Sequence, residues 1–142
     1  MYERILVATD GSPLSRRAVR AAAELARACG ARLSVLHVVS PYLQAGGIDL
    51  AKLPGYGRAV DKAARGVLAA ARAEARACDV SAEAVSVVGG EPWKAILRAA
   101  GARRCDLIVM ASHGRRGLMG LVLGSETTKV LTRSRIPVLV CR

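Results

Sequence analysis

A chain of 142 residues is long enough for one domain with its own core and too short for two ordinary ones, and at this size no metal or disulfide staple is required. Lysine and arginine number 22 against 11 acidic residues, a net charge of +11 that draws anions: nucleotides, nucleic acids, acidic lipids or acidic partner proteins. With no Phe, one Trp and three Tyr the chain lacks stacking platforms between its charges, so no specific nucleic-acid partner is expected, and arginines such as Arg58, Arg65, Arg72 and Arg76 read as a solvated helix face.

Met1–Arg4 leads straight into the apolar run Ile5–Ala8, so no signal peptide is expected and the cytoplasm is the expected location. That run, followed by Thr9-Asp10-Gly11-Ser12-Pro13, predicts a buried strand ending in a turn. Ser12 and Pro13 form a helix N-cap and first-turn pair. Ala18, Ala22, Leu25 and Cys29 then keep helical spacing up to a C-capping Gly30. Leu33–Val39 predicts a second strand. Ser40 to Gly57 holds two prolines and four glycines and reads as an irregular loop, of a length more often functional than structural. A helix is expected from about Arg58 to Cys78, with Val60, Ala64, Val67, Leu68, Ala71, Ala75 and Cys78 along its apolar stripe. Ala84–Val88 reads as a third strand, and Gly89-Gly90-Glu91-Pro92 as a turn opening a short helix with Trp93, Ile96, Leu97 and Ala100 inside. Leu107–Ala111 reads as a fourth strand and Ser112–Gly124 as a glycine-rich loop. Ser125 is expected to cap a last helix running to about Thr132, and Pro137–Cys141 to form a fifth strand.

Cys29, Cys78, Cys105 and Cys141 form no CxxC pair and no zinc-type spacing with histidine, so they read as reduced thiols. No apolar stretch is long enough to span a membrane, and no membrane partner is expected. Strands that alternate with helices and read as continuous apolar runs predict one α/β domain over residues 1–142, a doubly wound five-stranded parallel sheet.

In such sheets ligands bind outside the carboxyl ends of the strands, where the strand order reverses. Three features converge there. At the exit of the first strand, Ala8-Thr9-Asp10, the Asp10 carboxylate can accept from a ribose hydroxyl or an adenine amino group, or can cap its own turn. At His37-Val38 the main chain can read a base edge. Met110-Ala111-Ser112-His113-Gly114, then nine residues, then Gly124-Ser125 combines glycines with a helix start, and free N–H groups there favour an anion. Hydroxyls of Ser125 and Thr127 can add contacts. No Gly-Lys-Ser/Thr occurs, so this is not a Walker A loop, and its place after the fourth strand is not that of a dinucleotide fingerprint.

These residues carry a resemblance to the universal stress protein (UspA-like) family over the whole length. Ile5-Leu6-Val7-Ala8-Thr9-Asp10-Gly11-Ser12 resembles the family opening and Leu36-His37-Val38-Val39 its second strand. Asp106 to Gly117, Leu123-Gly124-Ser125 and Ile136-Pro137-Val138-Leu139-Val140 resemble its later signatures. The resemblance implies a flavodoxin/Rossmann-like fold of the adenine nucleotide alpha hydrolase-like type. It also implies bound ATP, with or without magnesium, held by Ala8, Thr9, Asp10, Val38, Met110, Ala111, Gly114, Arg115, Gly124, Ser125, Glu126 and Thr127. ATP-binding members carry glycine, two residues, glycine, nine residues, glycine and a small hydroxyl residue; here Ala111 replaces the first glycine, tolerable at negative φ and obstructive at positive φ. The family further implies a homodimer through Pro137 to Cys141.

The function expected is a stress-response regulator or nucleotide-dependent switch. Alternatives are a slow ATPase or self-phosphorylating enzyme using His113, Arg115 and Arg116, a nucleotide-free dimeric adaptor suggested by Ala111, and a flavin carrier of related architecture.

Overall fold

A computed structural model of the chain describes residues 1–40, 44–45, 48–114 and 123–142. Five parallel strands form the sheet in the order β5-β2-β1-β6-β7: β1 (Arg4–Ala8), β2 (Arg32–Val39), β5 (Ala82–Val88), β6 (Leu107–Ala111) and β7 (Val138–Cys141). A two-residue antiparallel pair, β3 (Gln44–Ala45) with β4 (Ile48–Asp49), and a 3-10 turn at Leu50–Lys52 interrupt the stretch expected to be irregular. The helices are α1 (Pro13–Cys29), α2 (Tyr56–Ala77), α3 (Pro92–Ala102) and α4 (Ser125–Arg133).

The order places β1 in the centre. The chain winds outward from it through β2 and β5, then returns to its other side for β6 and β7. The doubly wound reading is therefore correct, and the switch point lies between the carboxyl ends of β1 and β6. Ile5, Val7, Leu33, Val35 and Val109 face α1 and α2, where Ala18, Ala22, Ala71 and Ala75 let the helix backbones approach closely. Leu6, Leu36, Val85, Ile108 and Met110 face α3 and α4 against Ile96, Ala100 and Val130. Strands apolar on both faces are the burial pattern that a covered parallel sheet requires.

Helix ends follow their capping chemistry. Ser12 accepts from the Ser15 N–H at 3.2 Å, and Gly30 closes α1 at φ 67°. Gly55 at φ 77° starts α2 at Tyr56, two residues before the periodicity suggested. β5 begins at Ala82 rather than Ala84, because Ala82 and Glu83 already pair with Leu33 and Ser34 of β2, while Glu83 interrupts the apolar run. Pro137 precedes β7, yet its carbonyl accepts from Ile108 N at 3.0 Å and extends the ladder by one bond. Among the described residues no helix is long and apolar enough to cross a membrane.

Candidate functional site at the switch point

The exit of β1 is tied down on every side. Thr9 N donates to Leu36 O, and the His37 ring Nδ1 donates to Thr9 O, both at 2.9 Å. Thr9 Oγ1 meets Ser15 Oγ at 3.0 Å and accepts from Gly11 N at 3.2 Å. Gly11 then turns the chain at φ 80°, a conformation that a side chain would resist. Asp10 Oδ1 accepts from Ser12 N at 2.9 Å, so this oxygen caps the turn. Its other oxygen faces β6: a Cβ placed on Gly114 would lie 2.5 Å from Asp10 Oδ2. Glycine at 114 serves space, not backbone freedom, since the described glycines at positive φ are 11, 30 and 55.

The exit of β6 is equally constrained. Ala111 ends the strand in register with Cys141, and its carbonyl accepts from Thr127 Oγ1 at 2.9 Å. Among the described residues only Asp79 and Arg104 are non-glycine at positive φ, so Ala111 sits in ordinary strand backbone and its methyl group brings no strain. Ser112 N donates to Cys141 O at 2.7 Å, and Ser112 O accepts from Gly124 N at 2.6 Å. That last bond closes the loop and sets the amino end of α4 beside the exit of β6. Here the structure corrects the sequence reading. Gly124 is the N-cap of α4, and Ser125 is its exposed first residue. Thr127 is buried, and its hydroxyl is spent on Ala111. Gly124 supplies no side-chain cap, so among the described residues the first N–H groups of α4 and its positive end have no capping side chain.

A cleft of about 200 Å³ opens between these two exits. The structure brings Ala8, Thr9, Asp10, Val38, Met110, Ala111, Gly114, Glu126 and Thr127 to its wall. Gly124 and Ser125 stand just outside, Gly124 against the main chain of Ser112 and His113. Arg115, together with Arg116, lies outside the described residues. Sequence reasoning missed Leu36, Pro92 and Ile96, which line the side toward α3. Leu36 was accessible from strand parity, since it shares a face with Val38; the α3 residues had no local signal. His113 also reaches the wall, and its Nδ1 lies 3.2 Å from Ser112 Oγ. Wider hollows of about 560 and 620 Å³ lie along α3 and at the amino ends of β2 and β5, away from the switch point.

Glu126 has a structural task that the sequence does not reveal. Its Oε2 accepts from Trp93 N at 2.9 Å, capping α3 from a different helix, and Lys129 Nζ lies 3.4 Å from its Oε1. Glu91, the N-cap residue of α3, makes no side-chain cap, which leaves that amide to Glu126. The Arg133 guanidinium packs 4.7 Å from the Trp93 ring centre and adds a second link between α3 and α4. These contacts hold the two helices that flank the cleft. Cys141, beside Ala111, has its thiol pushed up by burial, with Arg17 opposing, which favours the protonated form at neutral pH. Among the described residues no group of three or more His, Cys, Asp and Glu side chains could hold a metal ion.

The sheet order and this cleft define a doubly wound α/β protein whose ligand would sit across the switch point. The universal stress protein family model matches residues 1–142. A universal stress protein of Thermus aquaticus, from the QAH/OAS sulfhydrylase 3' region, is 36% identical over 143 residues, covering 100% of both chains. Among solved structures, a universal stress protein in complex with cAMP superposes with TM-score 0.74 at 30% identity, over 98% of this chain and 95% of that one. The universal stress protein from Archaeoglobus fulgidus in complex with dAMP gives TM-score 0.75 at 26% identity, over 99% and 98%. The chain belongs to the universal stress protein family.

Proposed function

We propose that the chain binds an adenine nucleotide, ATP foremost, in the cleft between β1 and β6, and acts as a nucleotide-dependent regulator in the cytoplasm. The observation that carries this is one continuous surface: an apolar slot of Ala8, Leu36, Val38, Ile96 and Met110 that runs past the Asp10 carboxylate to the first turn of α4, whose N-cap Gly124 supplies no side-chain cap. The slot suits a flat base, Asp10 suits the ribose hydroxyls, and Gly114, Gly124 and the α4 amides suit phosphates. Relatives solved with cAMP and dAMP support the adenylate part of the reading. Phosphates bring their own magnesium where one is needed, without a protein cage. Titration calorimetry with magnesium-ATP on nucleotide-stripped protein is expected to show saturable binding near one per chain, and Ala111→Gly is expected to leave it unchanged. Silence in both proteins would overturn the reading.

His113 on the cleft wall favours a second reading, slow hydrolysis or self-phosphorylation. Phosphate release above background that disappears in His113→Ala would establish it.

β7 is an edge strand, and Leu139 on it is 41% exposed. An apolar edge invites pairing, and a second copy of the chain joined across a two-fold axis covers it. Light scattering at micromolar concentration is expected to give twice the chain mass; a monomer would end this proposal.

A further inference from the structure

At the opposite end of the sheet, the amino ends of β1, β2 and β5 and the residues after α3 enclose a hollow of about 440 Å³. Four arginines line it, Arg4, Arg32, Arg103 and Arg104, together with one carboxylate, Glu83. Arg4 and Arg32 are register partners on adjacent strands, so their side chains leave the same face of the sheet from Cα atoms about 5 Å apart. Like charges so placed repel.

The neighbouring carboxylates make their short contacts elsewhere and leave four arginines against two carboxylates. Both oxygens of Glu83 accept from Arg103 Nη1 at 3.0 Å, and Ser34 Oγ reaches Oε2 at 3.5 Å. The Asp106 carboxylate is engaged by the main-chain amides of Glu3 and Arg4 at 2.8 and 3.0 Å. Arg4 Nη1 turns to Arg103 O at 3.3 Å. Arg32 and Arg104 form no ion pair among the described residues. Arg104 also holds φ 53° directly after the C-cap of α3, a left-handed position where glycine is preferred. The negative end of α3 accounts for a cation beside it, and Arg103 fills that role. It accounts neither for an arginine pair in register nor for an arginine at a glycine position.

We propose that this hollow binds an oligophosphate chain, whose successive anionic groups meet Arg4, Arg32 and Arg104. Guanidinium forks pair with phosphate oxygens bidentately, and such a ligand offsets the repulsion among the arginines. The site is separate from the switch-point cleft, so it can be occupied whether or not the cleft binds nucleotide.

The test is amide-resolved NMR of the whole chain titrated with inorganic tripolyphosphate, and in parallel with ATP. Tripolyphosphate is expected to shift the amides of Arg32, Ser34 and Arg104. ATP moving the same amides as well identifies a nucleotide-borne chain as a ligand; tripolyphosphate alone moving them identifies a free one. The variant Arg32→Gln/Arg104→Gly is expected to weaken tripolyphosphate binding roughly tenfold or more. The charge-matched control Arg58→Gln/Arg65→Gln, on exposed positions of α2, is expected to leave it unchanged. Because the first variant removes a like-charge neighbour and places glycine at a left-handed position, its urea midpoint is expected to equal or exceed that of the native chain. Shifts confined to Gly114, Gly124 and Ser125, equal weakening in both variants, or a lowered midpoint in Arg32→Gln/Arg104→Gly would each overturn the proposal.

Discussion

Gly124→Val is expected to weaken ATP binding by about a hundredfold or more while the sheet stays folded, an affinity loss near 2.7 kcal/mol. A Cβ at this position would lie 3.2 Å from both His113 Cα and Ser112 O, and 3.3 Å from His113 Cβ. Two of these neighbours are main-chain atoms that cannot rotate away, so the segment itself must move. The bond that yields first is Gly124 N to Ser112 O, which at 2.6 Å closes the loop and fixes where α4 begins. Shifting α4 withdraws the helix amides from the cleft and pulls Glu126 from the Trp93 amide that it caps. Overpacking of this kind costs about 1–3 kcal/mol of stability, which a folded domain of ordinary stability survives. Calorimetric titration beside far-UV circular dichroism checks both halves. Gly66→Val is the control, since a Cβ at Gly66 in α2 meets nothing within 4 Å and binding should be untouched. Native-like affinity in Gly124→Val would show that the α4 amino end plays no part in holding the nucleotide.

The elements that position this site were legible for a physical reason. A covered parallel sheet needs strands apolar on both faces, and such runs stand out at Ile5, Leu33 and Leu107 without any knowledge of pairing. Gly30 and Ser12 announce helix ends because their cap chemistry is local. The edge strand β5 starts two residues before its apolar run becomes visible, since Glu83 separates Ala82 from that run. Two ladder pairs between Gln44–Ala45 and Ile48–Asp49 are too few to carry a periodicity. Serine favours a cap position, which points to Ser125, yet Gly124 takes it once its own N–H must reach Ser112. The tasks of Thr127 and Glu126 depend on partners 16 and 33 residues away, and no spacing rule encodes them. Gly114 shows the same limit from the other side. Its motif was visible, but its cause is the Asp10 carboxylate more than a hundred residues earlier in the chain.

The second large effect concerns the opposite end of the same two strands. Asp106 is expected to stabilise the fold above pH 4 and to lose that contribution in acid. Its carboxylate accepts from Glu3 N at 2.8 Å and Arg4 N at 3.0 Å, while its own N–H donates to Arg4 O at 2.9 Å. Three bonds therefore fasten β6 to β1 where both strands begin, and the register they set places Asp10 opposite Gly114 where both strands end. The Glu3 amide, the largest influence, holds the Asp106 carboxyl below its usual range; burial, the next largest, pushes the other way, and the Arg4 amide adds to the lowering. A folded-state value below the unfolded one means that the stabilisation is complete above the unfolded pKa of about 3.9 and is lost as pH falls through the folded value. Asp106→Asn keeps one acceptor oxygen and turns an NH₂ toward the other amide, so one main-chain N–H loses its partner. Because the site is partly solvated, the loss at pH 7 is expected to be about 1–2 kcal/mol, toward the low end for charge-assisted bonds. Urea unfolding at pH 7, 5, 4 and 3 is the check. The native and Asp106→Asn curves should differ at pH 7 and 5, draw together near pH 4, and converge further by pH 3. A difference that persists undiminished at pH 3 would assign the contribution of Asp106 to packing rather than to its charge.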